Sequence, residues 1–202
     1  MSSSNLRSDR GQTLPIYIWL TGILLFAAFA LFAFAQAASA RNGAQSAADA
    51  AALAAAQADR DELMEGLEGA IGVDDNWLDW LDPDEATGVG ATAAAQELAA
   101  ANDSTLQGGA QPTEVNGFPG YEVEIQTNYT VGESLIPGTE TQQATAQATA
   151  VIAPRCDFEA PDDPLDVVEL DCGGDVIEID PEDFISNDLP DASVLFSVYL
   201  AE

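Results

Sequence analysis

Asp and Glu make up 35 of the 202 residues, so carboxylates are the abundant reactive groups of this chain. Neighbouring pairs stand at Asp74/Asp75 and Asp162/Asp163, and two carboxyl groups can divide acid and base roles in glycoside hydrolysis. In a chain this acidic, adjacent pairs arise by chance. There is no His, and all five basic residues are Arg, so the usual general bases, Schiff-base formers and phosphate clamps are missing. No P-loop, G-x-G-x-x-G or G-x-S-x-G occurs, which excludes a motor ATPase. The reading is a non-catalytic protein with no cofactor and no assigned metal site. Calcium, a hard cation that takes oxygen ligands, is the one ion the composition suits. Its candidate clusters are Asp79–Glu85 and Asp175–Asp183, neither with EF-hand spacing.

The remaining chemistry lies in two cysteines, Cys156 and Cys172. Without His they cannot complete an ordinary four-ligand zinc site. Outside the cytoplasm they form a disulfide, and closing a loop of this size stabilises by about 3 kcal/mol on the chain-entropy model. The acidic residues crowd into the same part of the chain. Beyond position 61 a single base, Arg155, faces 31 carboxylates. Such a surface repels nucleic acid, which needs Lys and Arg to neutralise its phosphates, and repels anionic headgroups. Solubility in a salty environment explains it, as does a surface for a cation or a basic partner.

The element that must position this acidic region is a charge-free run from Gly11 to Ala40, followed directly by an alanine-rich stretch from Arg41 to Arg60. About 20 apolar residues span a bilayer, and Leu14 to Ala35 supply them. Thr13 can cap the helix, and Pro15 falls in its first turn, where a missing N–H costs little. Three fates are open to this N-terminus. The apolar core is too long for a typical secretory signal, although Ala38-Ser39-Ala40 would be an acceptable cleavage site. A prepilin leader would be cut after Gly11, but the glutamate that normally follows five residues on is Ile16. The expectation adopted is a retained anchor. Arg7 and Arg10 precede the span and Arg41 and Arg60 follow it, so the charge rule alone decides little. The disulfide and the acidic bulk favour a cytoplasmic N-terminus with the C-terminal part outside.

Past the span, Arg41, Gln45 and Asp49 fall on one helical stripe. Ala44, Ala47, Ala51, Ala54, Ala55 and Ala58 cover the rest, with Leu53 the only large apolar side chain. Alanine buries little area, so such a face works by letting another backbone come close. It is read as a seam against partner subunits, with packing on the chain's own C-terminal domain as the alternative.

These residues resemble the TadE/TadG-like family of Flp (tight-adherence) pilus-assembly proteins. The resemblance is carried by Arg10-Gly11-Gln12 before the span, then by Arg41, Gln45 and the run Ala48-Asp49-Ala50-Ala51-Ala52-Leu53-Ala54. It covers about a quarter of the chain. Gln36 stands where the TadG-like group often has an aspartate, and the prepilin glutamate is missing. The resemblance implies a single-pass component of a bacterial cell envelope that meets other pilus-assembly subunits through its stalk and membrane helix.

Downstream, Trp77-Leu78-Asp79-Trp80-Leu81-Asp82 reads as a short helix docking its tryptophans on the core, or else as an exposed partner anchor. Ala91 to Ala101 is a second helix. Tyr121 to Val131 alternates apolar and polar residues as a half-buried strand. Thr141 to Ile152 forms another, joined to it through Ile136-Pro137-Gly138 in a hairpin, and shorter strands are expected at Asp175–Asp180 and Ser193–Leu200. The fold class is α+β, a long transmembrane and stalk helix followed by a small antiparallel sheet. The organisation expected is a cytoplasmic N-terminus over 1–13, a transmembrane helix over 14–40 and an Ala-rich stalk over 41–66. A connector with short helices then covers 67–117, and an acidic β-rich extracytoplasmic domain covers 118–202. The competing function is a secreted or surface domain that binds calcium or a basic ligand.

Overall fold

The computed structural model describes residues 13–130 and 141–201. One helix, α1, runs unbroken over Thr13–Ala70, 58 residues and about 87 Å at 1.5 Å per residue. After it come a 3-10 turn at Trp77–Trp80, α2 (Ala91–Ala101), β1 (Ser104–Val115), β2 (Phe118–Thr130) and β3 (Gln143–Pro154). The chain ends with β4 (Asp157–Phe158), β5 (Val168–Cys172), β6 (Asp175–Ile179), the short α3 (Ala192–Leu195) and β7 (Phe196–Ala201). The expected α+β class is what is found. The expected Ile136-Pro137-Gly138 turn lies outside the described residues, as do Arg10, Gly11 and Gln12.

Two antiparallel sheets form. The larger has the order β1-β2-β3-β7, and the smaller β4-β5-β6. In β2, Tyr121, Val123, Ile125 and Thr127 turn inward while Glu122 and Glu124 turn out, the period of two that the sequence shows. Two connections are two-residue turns. Val115 pairs with Phe118 across Asn116-Gly117, and Cys172 pairs with Asp175 across Gly173-Gly174. All four turn residues have positive φ, as a type I′ hairpin turn requires.

The stalk differs from the expectation. It does not project free of the domain but forms one of its layers. α1 packs against β3 and β2 of the larger sheet and against α2, and its buried alanines belong to the same cluster as Tyr121, Val123, Ile125, Ala150 and Ile152. The physical reason is side-chain size. With Ala47, Ala48, Ala51, Ala52, Ala55 and Ala56 all fully buried, neighbouring faces of the helix admit neighbours closely, and α2 answers with Ala91, Ala95 and Ala99. The region expected as a connector, 67–117, also contains a complete strand, β1. At the far end larger side chains take over. Leu63, Leu67, Ile71, Trp77 and Leu81 join Val168, Leu170 and Ile179 of the smaller sheet in one continuous core.

Candidate functional site

α1 has two unlike halves. Its N-terminal part is long and apolar enough to cross a bilayer, and none of that window is buried in the chain. Trp19, Phe26 and Phe34 are each more than 70% exposed. Soluble proteins rarely expose so continuous an apolar surface. The change comes at Ala40, the first buried residue of the helix.

Beyond that point the expected seam residues divide. Ala44, Ala47, Ala51 and Ala55 are fully buried and Ala54 nearly so, while Ala58 is half-buried. What covers them is the chain's own sheet and α2. Of the two readings of this face, packing on the chain's own domain is what these buried alanines show. The stripe singled out by sequence is also too narrow, since Ala48, Ala52 and Ala56 are equally buried.

The polar residues of the stripe have a definite job. The Gln45 side-chain amide donates to Asp49 Oδ1 at 2.8 Å and to the Gln147 carbonyl at 3.2 Å. Gln147 lies in the half of β3 that β7 leaves unpaired, because the β3–β7 register begins at Thr149. A strand edge with free carbonyls invites pairing with other chains, and Gln45 occupies one of them. Asp49 holds the amide in place. Leu53 packs on the core from a half-buried position, and Arg41 is exposed just past Ala40.

One polar site is absent from the sequence reading. Asp59, fully buried, accepts hydrogen bonds from the Thr87 and Gly88 N–H groups at 3.0 and 3.1 Å and from the Thr87 hydroxyl. The Gly88 N–H also donates to the Tyr121 hydroxyl at 2.8 Å. Burial, with the Asp59 charge beside it, pushes the Tyr121 phenol above its ordinary range. Asp59 thus fastens α1 to the loop that enters α2 and to β2. Its signal in the sequence was slight, a single acid at the end of an alanine run.

The glycines show how closely elements approach α1. A Cβ at Gly43 would collide with the Tyr129 hydroxyl, and one at Gly66 with the Trp80 ring. Trp77 is buried and its Nε1–H donates to the Pro164 carbonyl at 3.0 Å, so the tryptophan motif docks inward as expected. Cys156 and Cys172 are joined, with Cα atoms 4.1 Å apart. They tie the strand end before β4 to the end of β5.

The acidic residues are scattered. Among the described residues no three of Asp, Glu, Cys or His come together as a metal-holding group, so the clusters at Asp79–Glu85 and Asp175–Asp183 are not gathered into a calcium site. The ion pair among the described residues joins Arg60 to its neighbour Asp61 at 2.9 Å. Arg155 turns instead to the Ser193 carbonyl at 2.7 Å. A surface hollow between α1 and the 186–190 loop is lined by Asp61, Glu65 and Glu68 with Leu189 and Pro190.

No curated protein and no solved structure matches this chain. The family comparison does find one relationship, and it falls on the helix. Residues 11–58, the apolar half of α1 and the alanine layer after it, match the TadE/G-like Flp pilus-assembly family, so the resemblance read in the sequence holds for the N-terminal region of the chain.

Proposed function

We propose that the chain is a membrane-anchored, non-catalytic component of a TadE/G-like Flp pilus-assembly system. The observation that carries the reading is the division of α1 within the family match. Its buried half is spent inside the chain's own domain, and its apolar half is left with no intramolecular partner. Such a surface requires lipid or other apolar helices. The domain stands outside the cytoplasm, where the disulfide is stable, with the N-terminus inside. Contact with other pilus-assembly subunits then falls to the membrane half and to the outer surface of the domain, not to the alanine layer. The competing reading, a calcium- or basic-ligand-binding domain, gains no support from the arrangement of the carboxylates.

Gly22 supplies the test. A Cβ there meets nothing within 4 Å, so Gly22→Leu leaves the chain's own fold intact while widening the membrane helix where a partner would press. The expected result is loss of co-purified pilus-assembly subunits from detergent extracts at unchanged expression and thermal stability. Absence of such subunits from the wild-type extract would refute the proposal.

A further inference from the structure

The two sheets place their charges differently. In the larger one, each strand carboxylate faces a neutral residue. Glu122 stands between Gln111 and Thr149, Glu124 between Gln107 and Gln147, and Glu114 opposite Pro119. The smaller sheet sets like charges directly opposite each other. Asp157 faces Asp171 across β4 and β5, and Glu169 faces Glu178 across β5 and β6. All four side chains are exposed, and the strand period puts them on the outer face together.

Side chains directly opposite have Cβ atoms about 4.5–5.5 Å apart, and like charges there push the strands apart. No base offsets them, since residues 157–191 hold fourteen carboxylates and no Lys or Arg. Two features oppose the repulsion. On the inner face Val168, Leu170 and Ile179 are buried in the core they share with Leu67, Ile71 and Trp77. The disulfide falls beside the first like pair, because Cys156 precedes Asp157 and Cys172 follows Asp171. It braces β4 against β5 where their charges repel. β6 has no such brace. It is held by its pairing with Val168–Cys172 and by the burial of Ile179.

Ionic strength decides which side wins. At about 0.01 M salt the Debye length is about 30 Å, well beyond the roughly 10 Å width of three strands. The carboxylates of the sheet then repel one another collectively. At about 1 M the length is about 3 Å, less than the spacing within a single pair, and the repulsion is screened.

We infer that the smaller sheet is an ionic-strength-sensitive flap over the C-terminal end of α1. In salt it lies closed on Leu67, Ile71 and Trp77. At low salt the β5–β6 hairpin lifts and uncovers that apolar surface, while the larger sheet stays folded. Cations act on it by screening, not by occupying a site. The full chain in dodecyl maltoside, with its disulfide intact, is followed by amide hydrogen exchange at about 10 mM and about 1 M sodium chloride. Each rate is scaled to the unfolded chain at the same salt. The expected result is exchange at residues 168–179 about tenfold faster at low salt, the mark of local opening, with residues 120–126 of β2 unchanged. Asp157→Asn/Glu178→Gln removes one acid from each pair and should abolish most of the difference. Equal exchange at 168–179 in the two salts would overturn the flap. So would an equal acceleration in β2, which reports opening of the whole domain. Full protection restored at low salt by about 1 mM calcium chloride, the range of a weak calcium module, would put a bound cation in place of screening and overturn the inference.

Discussion

Replacing Asp59 tests whether the acid at the end of the alanine layer fastens the fold. Its carboxylate is fully buried and receives two backbone N–H groups at 3.0 and 3.1 Å and the Thr87 hydroxyl. Asp59→Ala leaves those donors without their acceptor and opens a gap between α1 and β2. Hydrogen bonds to a charged group contribute about 1.5–3 kcal/mol, and a buried group stripped of its partner adds to the loss. A cost of about 3 kcal/mol follows, which lowers Tm by roughly 6–12 °C for a chain of this size. Asp59→Asn keeps an oxygen at the position that accepts all three hydrogen bonds but removes the charge that strengthens them, so it recovers only part of the loss. Asp61→Asn is the control. Its partner Arg60 is half-buried but Asp61 itself is 66% exposed, and pairs open to solvent contribute about 0–1 kcal/mol. The assay is thermal unfolding of the full chain in detergent micelles, followed by tryptophan fluorescence in a Trp19→Phe background that leaves Trp77 and Trp80 as the reporters. An Asp59→Ala shift below about 2 °C, which is about 0.5–1 kcal/mol or less, would refute the reasoning.

Gly43→Ala places a Cβ against the Tyr129 hydroxyl, so it should gain less than the about 1 kcal/mol that Ala has over Gly inside a helix, and adding Tyr129→Phe, which removes that oxygen, should restore most of that gain. Urea midpoints of the four combinations would show it, with additive effects counting against the contact. The Cys156→Ser/Cys172→Ser chain loses the closure of residues separated by 16 positions, about 3 kcal/mol on the entropy model, and dithiothreitol should lower the urea midpoint of the wild type but not of this variant. Tyr121 gives a pH dependence. Its folded pKa is raised by burial and then by Asp59, so the unfolded chain releases its proton first as pH climbs. Stability is therefore complete below about pH 10, the ordinary tyrosine value, and falls as pH rises beyond it. Tyr121→Phe should flatten that alkaline decline in a series of melts, and an unchanged slope would contradict the assignment.

Much of the fold was legible in the sequence. The apolar span, the alternation of β2 and the limits of α2 all follow from side-chain periodicity, which is a local property. The inward docking of Trp77 was the expected one of two readings. β1 was missed although Asn116-Gly117 is a strong hairpin signal, because Gly108, Gly109 and Pro112 interrupt its alternation, and the strand shifts register between Gln107 and Gln111. The Gly173-Gly174 turn was passed over in the same way, and with it β5. The stalk posed a different difficulty. Its composition showed that something approaches closely, but whether that was a partner or the chain's own sheet depends on contacts such as Gln45 with Gln147, 102 residues apart. Asp59 was hidden for the same reason, since its donors lie 28 and 29 residues downstream. Local pattern shows that a face is buried, and only tertiary structure shows what covers it.

The account stands on α1 being kept as one membrane-inserted helix. The most direct measurement is the intact mass of the protein from native membranes washed with alkaline carbonate. The account predicts a species in the membrane pellet that retains residues 14–40. A soluble species beginning after Ala40 would contradict it.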